Sequence, residues 1–179
     1  RVIARARRGV DEPAVVVLFE SSEYGLYSID RELRRKFPGL RIFSCAGDIR
    51  HPEEIGAAID EGGGIDVIYH AAAYKHVPLM EANVAAAFRT NVLGTARLAD
   101  VASNKGVDRF VMISSDKAVK PSSIMGVTKR IAERILLEGP PSKTTFVSVR
   151  FGNVLGSSGS VVPLFKAQIA AGGPVTVTT

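Results

Sequence analysis

Five short apolar runs punctuate the chain: VVVLF (15–19), RIFSCA (41–46), DVIYHA (66–71), RFVMIS (109–114) and TFVSVRF (145–151). Each is rich in β-branched residues and nearly unbroken in hydrophobicity, the pattern of strands buried on both faces. Helical patterns lie between them. One runs from Tyr27 to Phe37 and stops at Pro38-Gly39. A second opens at Pro52, continues to Asp60 and closes at Gly62-Gly63-Gly64. A third spans Val84 to Lys105 before Gly106, with Phe88, Val92, Leu98 and Val101 as its apolar face. Ser122 or Ser123 caps a fourth, which reaches about Glu138 ahead of Pro140-Pro141.

Strands alternating with helices predict an α/β fold: a doubly wound, Rossmann-like parallel sheet with helices on both faces. Both ends read as truncated. RVIARARRGV (1–10) has the look of the second half of an amphipathic helix, with no strand and glycine-rich turn before it. VTVTT (175–179) stops as if inside a strand or hairpin. The expected organisation is a partial NAD(P)-binding domain over 1–179, lacking the first strand and the Gly-rich turn. Residues 152–179 would begin the substrate-binding part.

Composition narrows the class. A net charge of +5 raises nucleic-acid binding. However, the basic residues are scattered, grouped only at Arg5, Arg7, Arg8 and at Arg31, Arg34, Arg35, Lys36, with no interleaved aromatics. Solvated helix faces explain them, and a phosphorylated small substrate suits the charge. The single cysteine, Cys45, cannot form an internal disulfide, which favours a reducing compartment. No apolar run is long enough to span a bilayer, although an anchor in a longer parent is compatible with this sequence. Three histidines and one cysteine without ligand spacing predict no metal site.

In a doubly wound sheet, ligands bind at the carboxyl ends of the strands. Glu20 stands there, able to accept hydrogen bonds from ribose hydroxyls or simply to face water. Asp48 and Ile49, in GDIR, follow the next strand and suit an adenine amino group and ring; a plain turn reads equally well. Ala71, Ala72 and Ala73 leave room for a flat ligand or a pyrophosphate. Lys75 could neutralise a phosphate, and His76 is either a mouth residue or a hydrogen-bonded loop histidine. Asn91 is a poor interior helix residue that must find partners if buried. It either steadies a strand end near the site or is purely structural. Ser114-Ser115-Asp116-Lys117 ends the fourth run. Met125 and Lys129 follow on one face of the next helix. A Tyr–Lys pair would fill those two positions in a short-chain dehydrogenase-like enzyme, and a thioether cannot exchange a proton.

GDIR, HAAAYKHVPLME, TNVLGT, SSDKAVKPSSIMGVTK and VRFGNVLGSSGSVVPLF, in this order and spacing, resemble the CapD-like group of UDP-N-acetylglucosamine 4,6-dehydratases. That group is a branch of the extended short-chain dehydrogenase/reductases that works in polysaccharide biosynthesis. Glu20 replaces a usual aspartate, which leaves NAD and NADP both open. The resemblance implies that NAD or NADP is held by Glu20, Asp48, Ile49, Ala71–Ala73, Lys75, Asn91, Ser114 and Lys129. It implies a UDP-sugar held by Lys75, His76, Asn153 and Ser160. It makes Lys117 the base at sugar C5, Asp116 the acid at the C6 hydroxyl with a pKa raised in the closed site, and Ser115 a partner of the C4 oxygen. Met125 and Lys129 complete the catalytic set, since the long members of the group also carry Met there. The base for the C4 hydroxyl stays open between Asp116 and Lys129 acting through a water. Homo-oligomerisation is expected, in the cytoplasm or on the cytoplasmic face of the inner membrane. A UDP-sugar 4-epimerase and a non-catalytic nucleotide-binding module are the alternatives.

Overall fold

The computed structural model describes residues 2–7, 13–152, 154 and 161–176. Six strands form one sheet in the order β3-β2-β1-β4-β5-β6. They are β1 (Val2–Arg7), β2 (Pro13–Glu20), β3 (Arg41–Ala46), β4 (Val67–His70), β5 (Arg109–Ser115) and β6 (Thr145–Phe151). The five sequence runs are β2 to β6. Parallel pairing holds for β2 with β3 and for β4, β5 and β6.

The first segment corrects the sequence reading. Val2–Arg7 is a strand, not part of a helix, and runs antiparallel between β2 and β4. The sheet is therefore mixed. The physical reason is backbone demand: β2 and β4 each present a row of N–H and C=O groups toward the gap between them, and a strand in that gap satisfies both rows. Val2 and Ile3, being β-branched, fit a strand better than a helix.

The helices are α1 (Glu23–Lys36), α2 (Pro52–Glu61), α3 (Val77–Ala82), α4 (Val84–Ala87), α5 (Thr95–Asn104), α6 (Ile124–Leu137) and α7 (Val161–Ala170). A π-helical segment, Phe88–Gly94, joins α4 to α5, and a 3₁₀ turn, Asp116–Ala118, follows β5. The long helix expected over 84–105 is thus a continuous helical stretch with a π insert. Phe88 lies 42% exposed rather than on the buried face. Helix α1 begins a turn earlier than predicted because Ser22 caps it, its Oγ accepting the Gly25 N–H.

The two faces of the sheet differ. On one, Val16, Leu18 and Ile42 pack against Leu26, Ile29 and Leu33 of α1. On the other, Val17, Phe19, Ile68, Phe110 and Met112 meet α2, α5 and α6 in the main core. Residues 15–19 of β2 are buried throughout, whereas β5 alternates buried with half-buried positions. No helix among the described residues is long and apolar enough to cross a membrane.

Candidate functional site

The carboxyl ends of β2, β3 and β4 open into a crevice of about 740 Å³. Its walls include Glu20, Asp48, Ile49, Ala71, Ala72, Ala73, Lys75 and His76. Eight sequence candidates therefore share one cleft. Ile113 of β5 also reaches it, but Ser115, Asp116 and Lys117 lie past that edge and do not line it.

The crevice walls are tied down by local hydrogen bonds. Glu20 Oε1 accepts the Ser22 N–H at 3.1 Å. Asp48 is gripped by Arg50, Nη2 to Oδ2 at 2.6 Å and Nε to both oxygens at 3.0 Å, which holds its carboxyl below the usual range. Ile49 is 4% exposed and belongs to the core. It needs Gly94 opposite, where any Cβ would stand 2.7 Å from its Cδ1.

Asn91 resolves into a clamp. It faces inward from the π segment, fully buried. Its Oδ1 accepts the Tyr74 N–H at 2.8 Å, and its Nδ2 donates to the Tyr74 carbonyl at 3.0 Å and to Thr128 Oγ1 at 3.0 Å. The AAAY loop is thereby fixed to α6, with every amide hydrogen-bonding atom of Asn91 used. Thr95 donates to the Asn91 carbonyl and contacts His70 Nε2 at 2.8 Å. With the Thr95 proton committed, His70 Nε2 must be the donor, so the ring is the neutral Nε2–H tautomer. Burial first, and then the Lys129 charge, push the His70 pKa well below its ordinary value.

The end of β5 carries the reactive-looking groups. Ser115 Oγ donates to Asp116 Oδ1 at 2.9 Å and accepts the Lys117 N–H at 3.2 Å. The same Oδ1 takes the Lys117 N–H at 2.8 Å and its Nζ at 3.2 Å. These donors, led by Ser115 and then Lys117, hold the Asp116 carboxyl below its usual range. The raised pKa is an expectation for the closed site; here Asp116 is over half exposed, and its donors outweigh the opposing effect of burial. Ser114, just before, is buried. The end of β6 lies alongside, since a Cβ on Gly152 would stand 3.9 Å from Asp116 Oδ2. Asn153 and Ser160 lie outside the described residues.

Helix α6 approaches the 3₁₀ turn closely enough that a Cβ at Gly126 would sit 2.5 Å from the Lys117 carbonyl oxygen. Met125 is 4% exposed, packed in a small cluster with Met80 and Ala87. Lys129 is also buried, donates to the Ile113 carbonyl at 2.9 Å, and is lowered by that burial to about 8. The desolvated lysine of the site is therefore Lys129, not Lys117.

Sequence reading missed Arg50, Thr95, Gly126, Thr128, Glu133 and Arg150. Thr128 and Gly126 stand inside the quoted MGVTK motif, which was a usable signal. Arg150 likewise stands inside the quoted VRFGNVLGSSGSVVPLF motif, whereas Glu133 gave no signal, because a helix acid reads as solvated.

A doubly wound sheet with an acidic residue, small-residue loops and a deep cleft at its strand ends defines a dinucleotide-fold protein. The crevice offers a carboxylate at Glu20, chemically able to accept hydroxyl hydrogen bonds, and an alanine wall of low profile. The chain belongs to the polysaccharide biosynthesis protein family, whose model matches residues 4–179. It is 49% identical to the capsular polysaccharide biosynthesis protein CapD of Staphylococcus aureus over 170 residues, 93% of this chain and 28% of that protein. The structure of Pen from Bacillus thuringiensis superposes with a TM-score of 0.82 at 40% identity, covering 94% of this chain and 53% of that one. More distant relatives include a UDP-N-acetylglucosamine 4,6-dehydratase (inverting) of Campylobacter jejuni, 36% identical over 79% of this chain and 43% of that protein. They also include a UDP-glucose 4-epimerase of Rickettsia prowazekii, 38% identical over 90% of this chain and 49% of that protein. The chain thus spans between about a quarter and a half of the relatives it matches.

Proposed function

We propose that the full-length protein carrying this chain is an NAD-dependent UDP-N-acetylhexosamine 4,6-dehydratase. The observation that carries the reading is the Ser115–Asp116–Lys117 cluster at the end of β5, together with a buried thioether at position 125 of the following helix. Proton-transfer groups stand on the strand end, and none stands at the helix position where an epimerase of this superfamily would need a tyrosine. Glu20 at the cleft favours NAD, because a carboxylate repels a 2′-phosphate. The sugar nucleotide and NAD are both cytoplasmic metabolites, so the reaction belongs there or on the cytoplasmic side of a membrane.

A nicotinamide cofactor, which the crevice residues Glu20, Asp48 and Ala71–Ala73 would hold, would supply a reversible hydride acceptor for C4 and donor for C6 of the sugar. The chain supplies the proton transfers. Ser115, already donating to Asp116, passes the C4 hydroxyl proton to that carboxylate. This is why an ionised Asp116 in the resting site fits the chemistry better than one already protonated. The resulting 4-keto group acidifies C5, and Lys117, beside Asp116 at the strand end, is the residue that takes the C5 proton. Asp116 returns its proton to the C6 hydroxyl, which leaves as water. When C6 is reduced, Lys117 gives a proton back at C5. Both residues end as they began, and the sugar has lost one water.

UDP-N-acetylglucosamine given to the full-length protein should yield a 4-keto-6-deoxy sugar nucleotide, detected as loss of one water by mass. Conversion to the C4 epimer at unchanged mass would favour the epimerase reading. Cofactor binding with neither product would favour a binding module. Lys117→Ala should lower kcat by roughly 10²- to 10⁴-fold, the usual contribution of a general base.

A further inference from the structure

Glu133 is 1% exposed, and the chemistry above makes no use of it. It lies one turn beyond Lys129 on α6, over the seam between β5 and β6. Arg150 of β6 grips it as a fork, Nε to Oε1 at 2.9 Å and Nη2 to Oε2 at 2.7 Å. Arg130 stands 3.4 Å from Oε2, and Ser148 Oγ 3.5 Å from Oε1. Lys129, four residues earlier, has only the neutral Ile113 carbonyl as acceptor and forms no ion pair among the described residues. Other ionisable groups brought by the packed elements are His70 on β4, Glu81 on α3, Arg89 in the π segment, Arg97 and Asp100 on α5, Arg109 on β5, Asp116 and Lys117 in the 3₁₀ turn, Arg150 on β6, and Arg130, Arg134 and the capping Glu138 on α6. His70 is neutral, while Glu81, Asp100 and Asp116 are exposed to screening water. Glu133 is the carboxylate buried on the same face of α6 as the lysine, one helical turn away and beyond ion-pair distance.

We propose that Glu133 is the internal counter-ion of Lys129, and that Arg150 governs how much of its negative charge the lysine feels. Burial lowers Lys129 to about 8, and the Glu133 charge opposes that fall. Arg150 keeps Glu133 ionised down to about pH 2, so the counter-charge never titrates in the working range. The fork also ties the end of β6 to the helix that carries Lys129, so charge and geometry are set together. The consequence for turnover rests on the dehydratase reading, to which we add Lys129 as a cofactor-holding ammonium. Glu133 is then a positioning residue, one step removed from the reacting atoms.

The test is an NMR titration of ¹⁵N-lysine side chains in this chain, with the Lys129 signal assigned by its loss in Lys129→Met. Glu133→Gln should move the Lys129 midpoint down by roughly one pH unit, whereas Arg150→Met should move it up. The double variant Glu133→Leu with Arg150→Met removes the pair without stranding a charge and should move it down while keeping the fold. It decides the matter if Glu133→Gln does not fold. Equal midpoints in wild type and double variant, or a downward shift in Arg150→Met, would overturn the proposal. In the full-length protein, the alkaline limb of kcat/KM should follow the midpoint down in the double variant, and an alkaline limb that stays in place would also count against it. If the dehydratase reading alone is wrong, turnover is absent while the opposite-signed titration shifts remain.

Discussion

Helices α1 and α6 have the same length and the same start, yet they do different work. Each spans fourteen residues, and each opens on a serine whose Oγ accepts the N–H three residues on, at 3.1 Å in both cases. After the cap they diverge. Helix α1 buries only Leu26, and its charges pair on the surface as Asp30–Arg34 and Glu32–Lys36. Helix α6 buries seven residues, among them Lys129 and Glu133. The cap and the period make a helix, but they do not say whether its charges face water. That depends on what the sheet places against it. Strands β5 and β6 end in groups that complement buried charge: the Ile113 carbonyl, Ser114, Ser148 and Arg150.

The contrast can be broken or sharpened by substitution. The largest effect is expected at Glu133. Glu133→Ala should destabilise the chain by about 2–3 kcal/mol, because α6 loses the buried carboxylate that accepts two charge-assisted bonds from Arg150. The sign with pH follows from its lowered carboxyl. The folded value near 2 lies below the ordinary value of 4.5, so the stabilisation is present above about pH 4.5 and is lost as pH falls toward 2. Denaturant melts across that range should show the loss in wild type and not in Glu133→Ala.

Lys129 should behave in the opposite sense. Its folded value near 8 lies below the ordinary 10.5, so the unfolded chain holds the extra proton between those values and stability rises with pH through that window. Lys129→Met should therefore stabilise the chain by roughly 2 kcal/mol at pH 7 and abolish the alkaline rise. A destabilised Lys129→Met variant would mean that its bond to Ile113 outweighs the cost of burying the ammonium.

Gly126→Ala should cost about 1–3 kcal/mol, since the clash is with the Lys117 backbone and not with a flexible side-chain tip. The two caps should cost the same: Ser22→Ala and Ser123→Ala about 1 kcal/mol each. A much larger loss at Ser123 would show that its cap is coupled to the Glu81 carboxylate, which accepts the Ile124 N–H from α3. Glu32→Gln on α1 should change stability by less than about 0.5 kcal/mol.

The strands β2 to β6 were legible because buried parallel strands leave continuous apolar runs, and α6 because Ser123 and Pro140 punctuate it. Segment 2–7 was not, since six residues mixing Val, Ile, Ala and Arg carry either period and only the gap between β2 and β4 decides. At the site, strand-end positions such as Glu20, Asp48 and the Ala71–Ala73 loop followed from topology alone. The ionised state of Asp116 did not, because it depends on three donors converging on one oxygen. The fork between Glu133 and Arg150 was equally hidden, because it exists only once α6 lies across β6. Asn91 was an intermediate case: its oddity inside a helix signalled partners, and the π segment supplied them.

The most direct test of the central claim follows the hydrogens. The full-length protein should be given UDP-N-acetylglucosamine deuterated at C4, in ordinary water, and unlabelled substrate in heavy water. The account predicts a 4-keto-6-deoxy product that carries the C4 deuterium at C6 in the first case and solvent deuterium at C5 in the second. Return of the label to C4 with no solvent deuterium at C5 would contradict it.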